Sequence, residues 1–143
     1  MTTMSQACLV AGFLAFTASA RADLDIRRGG RDWARIGDDG SVHIEGRTVG
    51  RIGSDGSVAV GGRWPGEVED DGTIRREGRQ IGRVERDGTL RHRGREVGRI
   101  EDDGTIRRDG REWGRARYCC GDFASKRTVA AALAFFLDEF FGT

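Results

Sequence analysis

The sequence predicts an all-β fold: a closed pseudo-symmetric array of short β-hairpins, made from five to six 16-residue repeats, followed by a hydrophobic helix-like C-terminal segment. A stacked β-solenoid is the alternative. Three observations carry the prediction. Asp-Gly recurs at 39–40, 55–56, 71–72, 87–88 and 103–104, with a constant spacing of 16. Gly-Arg recurs on the same period, at 30–31, 46–47, 62–63, 78–79, 94–95 and 110–111, four of the six falling between those pairs and one on either side. Each unit brings only about three apolar side chains, for example Ile74, Ile81 and Val84, so units must share one core.

Each unit reads as two short strands and two turns. Asp-Gly and Glu-Gly supply the positive-φ positions of tight hairpin turns, and the runs between them lack a helical stripe. One strand carries a leading aliphatic residue (Ile26, Val42, Val58, Ile74, Leu90, Ile106). The next carries a glycine (50, 66, 82, 98 and 114, with Ala34 in the first copy), then an aliphatic two residues on (Ile36, Ile52, Val68, Val84, Ile100, with Ala116 closing the series). The shared parity of Gly82 and Val84 predicts a glycine facing the core, where backbones crowd. Five full units run from Asp25 to Gly104, with a partial sixth to about Ala116. Trp33 and Trp113 hold the same position in the first and last copies and are expected to meet where the ring closes. Trp64-Pro65 breaks the pattern in copy three, and the missing donor at Pro65 predicts an edge or bulged strand there.

The motif Asp-Gly-Thr-Ile-x-x-x-Gly-Arg-x-Ile-Gly-Arg-Ile, followed by Val129-Ala130-Ala131-Ala132-Leu133-Ala134-Phe135-Phe136-Leu137, resembles the 5-fold β-flower proteins of bacteria over residues 25–141. The resemblance implies hairpins closed around a pseudo-five-fold axis and implies no activity.

Composition changes at both ends of the repeat. Residues 1–22 read as a signal peptide: apolar or small from Ala7 to Ala20, closing on Ala18-Ser19-Ala20 and Ala20-Arg21-Ala22. The expected location is periplasmic or secreted, or cytoplasmic if the leader is not a signal. Residues 23–117 form the repeat domain and 118–143 the C-terminal segment. In that segment Asp122 or Ser125 can cap a helix, and Val129, Leu133, Phe136 and Phe140 fall at helical spacing, an apolar face suited to covering the lean core. Cys119 and Cys120, adjacent in sequence, are expected as free or variably oxidised thiols.

Charge excludes some partners. With 24 basic and 23 acidic residues the net charge is +1, and no nucleic-acid partner is expected. Of the basic residues only Lys126 is a lysine, which favours forked, planar hydrogen bonding. No cofactor or metal motif is present in the sequence. The Asp-Asp-Gly turns lack the alternating acid spacing that wraps calcium. His43 and His92 occupy adjacent positions of their units, face opposite ways, and read as surface substitutions.

The site candidate is positional: Arg31, Arg47, Arg63, Arg79, Arg95 and Arg111 are equivalent, and in a closed ring they form a circle of guanidinium groups for a phosphate, carboxylate or anionic glycan. The competing expectation is an internal brace, each arginine pairing a turn aspartate (Asp39, Asp55, Asp71, Asp87, Asp103). The expected function is a non-enzymatic, exported structural or binding module of the bacterial cell envelope. The alternatives are anion or glycan binding through the arginine ring, and membrane association through the Phe-rich tail. An envelope component, or a second copy held through the tail, is the partner expected.

Overall fold

The computed structural model describes residues 23–142; the leader at 1–22, with Cys8, lies outside the described residues. Twelve strands pair in antiparallel hairpins: β1 (Leu24–Arg28) with β2 (Arg31–Ile36), β3 (Ser41–Ile44) with β4 (Arg47–Ile52), β5 (Ser57–Val60) with β6 (Arg63–Val68), β7 (Thr73–Arg76) with β8 (Arg79–Val84), β9 (Thr89–His92) with β10 (Arg95–Ile100), and β11 (Thr105–Arg108) with β12 (Arg111–Arg117). Strand β12 pairs with β1, Ile26 opposite Ala116, and closes the array into a barrel. The single described helix, α1 (Phe123–Phe135), follows.

The barrel has six hairpins, one more than the five-fold axis implied by the resemblance. The sixth copy is a complete hairpin that lacks only the Asp-Gly turn, since no further hairpin follows it. Closure brings Trp33 and Trp113 edge to face, with ring centroids 5.8 Å apart.

Two kinds of turn alternate, one at each end. The hairpin tips at 29–30, 45–46, 61–62, 77–78, 93–94 and 109–110 hold both residues at positive φ, as in Glu77 (51°) and Gly78 (82°). That is a type I′ geometry, which matches strand twist and explains the glycine before each arginine. At the other end the Asp-Gly turns are four-residue loops, such as 69–72 between β6 and β7. The Gly72 amide donates to the Glu69 carbonyl at 2.9 Å, and the Asp71 carboxylate accepts from the Thr73 amide at 3.0 Å. The same Asx turn recurs at Asp39, Asp55, Asp87 and Asp103. A plain turn therefore accounts for the Asp-Asp-Gly sequences.

Those amide bonds hold the five carboxyls below their ordinary value of 3.8, the backbone amide of Ser41, Ser57, Thr73, Thr89 or Thr105 being the largest cause. A depressed folded-state value contributes stability that is present above 3.8 and lost as pH falls through the lower folded value. Asparagine keeps the acceptor and removes the titration. The combined Asp71→Asn, Asp87→Asn and Asp103→Asn variant is expected to lose Tm less steeply than the parent between about pH 4 and pH 2, read by thermal melts.

Each hairpin contains a bulge. Between β7 and β8, Ile74 pairs Gly82 and Arg75 pairs Gln80, leaving Ile81 out of the ladder. Trp33, Val49, Val97 and Trp113 are left out in the same way. The bulge turns a residue that parity would send outward into contact with the core. Pro65 occupies this unladdered position, where a missing amide is tolerated, and here alone the next pair, Ala59 with Trp64, is absent from the ladder. The strand is bulged; in a closed barrel it is not an edge.

Helix α1 fills the bore. Val129 to Phe135 are all buried, alanines included, so the helix has no solvent face there. Alanine suits a shaft packed against strands on every side. The helix ends at Phe135, earlier than the sequence spacing predicts, and a turn then carries Phe140 and Phe141 back into the core. The inward glycines receive these rings. A Cβ built on Gly66 would lie 2.8 Å from the Phe135 ring, on Gly50 2.7 Å from Phe136, on Gly82 2.5 Å from Phe141 and on Gly98 3.0 Å from Phe140. The glycine row and the two Phe-Phe pairs are two halves of one packing solution.

Charge keys the plug's direction. At the Asp-Gly end, buried Lys126 donates to Asp102 at 2.5 Å and Arg127 lies 3.5 Å from Asp70. At the tip end, Arg76 donates to the Ala134 carbonyl, Arg108 to the Glu139 carbonyl, and the Trp113 indole to the Glu139 carboxylate at 2.7 Å. Cations at the helix N-terminus oppose the helix dipole, and the acidic turns around them offset that cost. Arg76 at the C-terminal carbonyls works with the dipole.

Candidate functional site

A net charge near zero conceals a molecule with opposite ends. The turn loops 37–40, 53–56, 69–72, 85–88 and 101–104 hold two, one, three, two and three acids against one arginine, Arg86. The six tips, from 29–31 to 109–111, hold the six ring arginines and Arg93 against Glu45, Glu77 and Asp109. Alternating turn chemistry on a closed barrel therefore builds one acidic end and one basic end.

Arg31, Arg47, Arg63, Arg79, Arg95 and Arg111 each open the second strand of a hairpin, directly after its tip, and all six are exposed. Among the described residues none of them makes an ion pair. The brace expected between these arginines and the turn aspartates does not form, because the two sets lie at opposite ends of the strands. The aspartates instead face the other Gly-Arg series: Asp87 lies 3.6 Å from Arg99, and Asp103 lies 3.8 Å from Arg115. A third series braces the outer wall, with Arg75–Glu69, Arg91–Glu85 and Arg107–Glu101 each at 2.9 Å. Such exposed pairs stabilise by at most about 1 kcal/mol each.

Inside the crown lies a second row. Arg28, Ile44, Val60, Arg76, His92 and Arg108 pair directly with the six ring arginines and share their face of the sheet. Their cations are engaged by the tail: Arg28 pairs with Glu139, and Arg76 and Arg108 bind the carbonyls above. The tail thus satisfies the inner arginines and leaves the outer crown to solvent.

The histidines separate as parity predicts but are not equivalent substitutions. His43 lies on the outer face, 3.0 Å from the Thr48 hydroxyl. His92 turns inward, 2.7 Å from the Ile81 carbonyl and edge-on to Phe141. Because a carbonyl only accepts, the His92 Nδ1 donates there. Cys119 and Cys120 are joined as a vicinal disulfide rather than free, with Cys120 buried. Trp64 is 64 % exposed on the outer wall, where the other copies place Asp32, Thr48, Gln80, Glu96 and Glu112.

Among the described residues no group of three or more His, Cys, Asp or Glu side chains is placed to hold a metal ion. No helix among them is long and apolar enough to cross a membrane. Comparison of the chain with protein-family models, with curated proteins and with solved structures gives no match.

Proposed function

We propose that the protein is a non-catalytic, exported anion-binding module that presents its hairpin-tip end to a polyanionic component of the cell envelope. The observation that carries this is the crown of six exposed arginines without ion-pair partners among the described residues, at the end opposite the acidic turns. Guanidinium groups match phosphate and carboxylate oxygens with paired hydrogen bonds and stay charged across the physiological range, so they bind anions without exchanging protons. The end-to-end charge separation orients an approaching polyanion towards one face only.

The short strands and their charged outer positions (Arg35, Arg75, Arg83, Arg91, Arg99, Arg107, Arg115) do not suit a lipid-facing wall. Phe135, Phe140 and Phe141 are buried in the bore, so the tail offers these rings neither to a bilayer nor to a second copy.

The test is binding of inorganic polyphosphate to the Arg47→Gln, Arg95→Gln, Arg111→Gln triple variant, with the melting temperature measured alongside. The expected outcome is a loss of about tenfold or more in affinity at low salt, from three exposed contacts of ~0.5 kcal/mol each, with Tm unchanged. Unchanged affinity would overturn the crown as the binding surface.

A further inference from the structure

The crown is not uniform. Along five of the six seams between neighbouring hairpins, the ladder runs on to the inward glycine or its Ala34 equivalent: Ala34 pairs Ile44, Gly50 pairs Val60, Gly66 pairs Arg76, Gly98 pairs Arg108 and Gly114 pairs Arg28. Between β8 and β9 it stops one step short, at Arg83 opposite Arg91, and Gly82 does not pair His92. The cause is local. At four other seams the bulge carbonyl accepts the amide of the adjoining tip: Val49 from Gly61, Pro65 from Glu77, Val97 from Asp109 and Trp113 from Gly29. Here the Ile81 carbonyl takes the His92 ring instead, and among the described residues the Arg93 amide makes no corresponding bond. Glu45 likewise makes no such bond to Trp33 among the described residues, but Ala34 there still pairs Ile44. Only between β8 and β9 are both the tip bond and the last ladder pair missing, and a cleft of about 1020 Å³ lies between the fourth and fifth tips.

The cleft has two kinds of wall. Its charged lining is Arg79, Arg83, Arg91 and Arg93 against one carboxylate, Glu77, with Arg76 already engaged by the Ala134 carbonyl. Its floor is apolar: Ile81 and the bare backbone of Gly82, beneath which lies the buried ring of Phe141 with His92 edge-on at 6.0 Å. Cations above a flat apolar floor recognise an anion joined to a ring, the charged group taken by the guanidinium forks and the ring laid on the floor.

We infer that the β8–β9 cleft is a discrete site for a small organic anion, a phosphate or carboxylate ester or acid bearing a flat apolar ring, held by Arg79 and Arg93 over Ile81 and the Gly82 backbone. This rests on the anion-binding reading of the tip end and places within it one selective site.

The probe is phenyl phosphate, compared with inorganic phosphate by calorimetry and by amide shifts at Ile81, Gly82 and Arg93. Phenyl phosphate is expected to bind about tenfold tighter than inorganic phosphate, or better. Arg79→Gln with Arg93→Gln removes that binding, whereas Arg47→Gln with Arg111→Gln leaves it within about twofold. His92→Val supplies the residue found at the equivalent Val60, whose seam is closed. It is expected to restore the Ile81 bond to the tip amide and abolish phenyl phosphate binding while Tm holds or rises. No preference for the phenyl ester, equal loss from either arginine pair, or unchanged binding in His92→Val would each overturn the cleft. Polyphosphate binding by the crown is read separately, so the cleft can fail while the broader reading stands.

Discussion

Replacing Phe140 and Phe141 together with alanine is expected to leave the protein largely unfolded at 25 °C. Both rings are about 2 % exposed, and they fill space that a bore lined by glycine at positions 82 and 98 cannot fill from its own walls. Truncating one buried phenylalanine costs about 3–5 kcal/mol, the lost transfer energy plus the cavity left behind. Two neighbours sharing one cavity do not add fully, so roughly 5–8 kcal/mol is expected for the pair. A domain of this size has about 5–15 kcal/mol in total, and a barrel with so few aliphatics per repeat belongs near the lower figure. Far-ultraviolet circular dichroism and urea titration check it. A cooperative transition within about 1 kcal/mol of the parent would mean that the rings are not core residues.

The second large effect comes from one added carbon. At Gly66 a Cβ would stand 1.9 Å from the carbonyl oxygen of Arg75, on the neighbouring strand, and 2.8 Å from the Phe135 ring. The first clash is with backbone inside a closed ladder, so relief requires moving a strand that is hydrogen-bonded on both sides. Gly66→Ala is expected to cost about 3 kcal/mol or more, at the top of the range for overpacking. Gly82→Ala is expected to cost less, about 1–2 kcal/mol. Its Cβ meets the Phe141 ring at 2.5 Å, but the backbone clash that sets the cost is softer, the Arg91 carbonyl at 2.6 Å against 1.9 Å at Gly66, and the adjoining seam is already short by one pair. Gly121, with nothing within 4 Å, is the control and should tolerate alanine within about 0.5 kcal/mol. The ranking, measured by urea midpoints at constant m-value, tests the reading of the glycine row as the seat of the tail. Equal costs at 66 and 121 would contradict it.

Much of this architecture was legible because the repeat is punctuated by turns. Asp-Gly at a constant spacing dictates both strands of each unit, and the parity of Gly82 with Val84 identifies the core face before any coordinates. The sixth hairpin was harder to see, since a unit defined by its Asp-Gly turn looks incomplete once no hairpin follows. Only the pairing of Ile26 with Ala116 shows that the ring needs it. The bulge hides for a different reason: one unladdered residue leaves the period intact while reversing the direction of Ile81. Helical spacing from Val129 to Phe140 overstated the helix, because Phe140 reaches the core through a turn rather than along the axis.

The candidate site was legible in part. Equivalence of the six arginines follows from the repeat, but their separation from the turn aspartates is a matter of which end of a strand each occupies. Net charge sums the two ends and erases the distinction. The role of His92 was invisible, since a histidine in an arginine position reads as drift until the Ile81 carbonyl is found turned towards its ring. The disulfide at Cys119–Cys120 likewise depended on the local backbone, where Tyr118 takes a φ of 70° just before the pair.

The most direct measurement is a nitrogen-edited NMR titration of the folded protein with inorganic polyphosphate, following the arginine Nε–H signals together with the turn amides. The account predicts saturable shifts at Arg31, Arg47, Arg63, Arg79, Arg95 and Arg111, weakened by salt, with the amides of Thr73, Thr89 and Thr105 at the acidic end unmoved. Shifts spread over Arg83, Arg99 and Arg115 as much as over the crown, or no saturable shift at all, would contradict it.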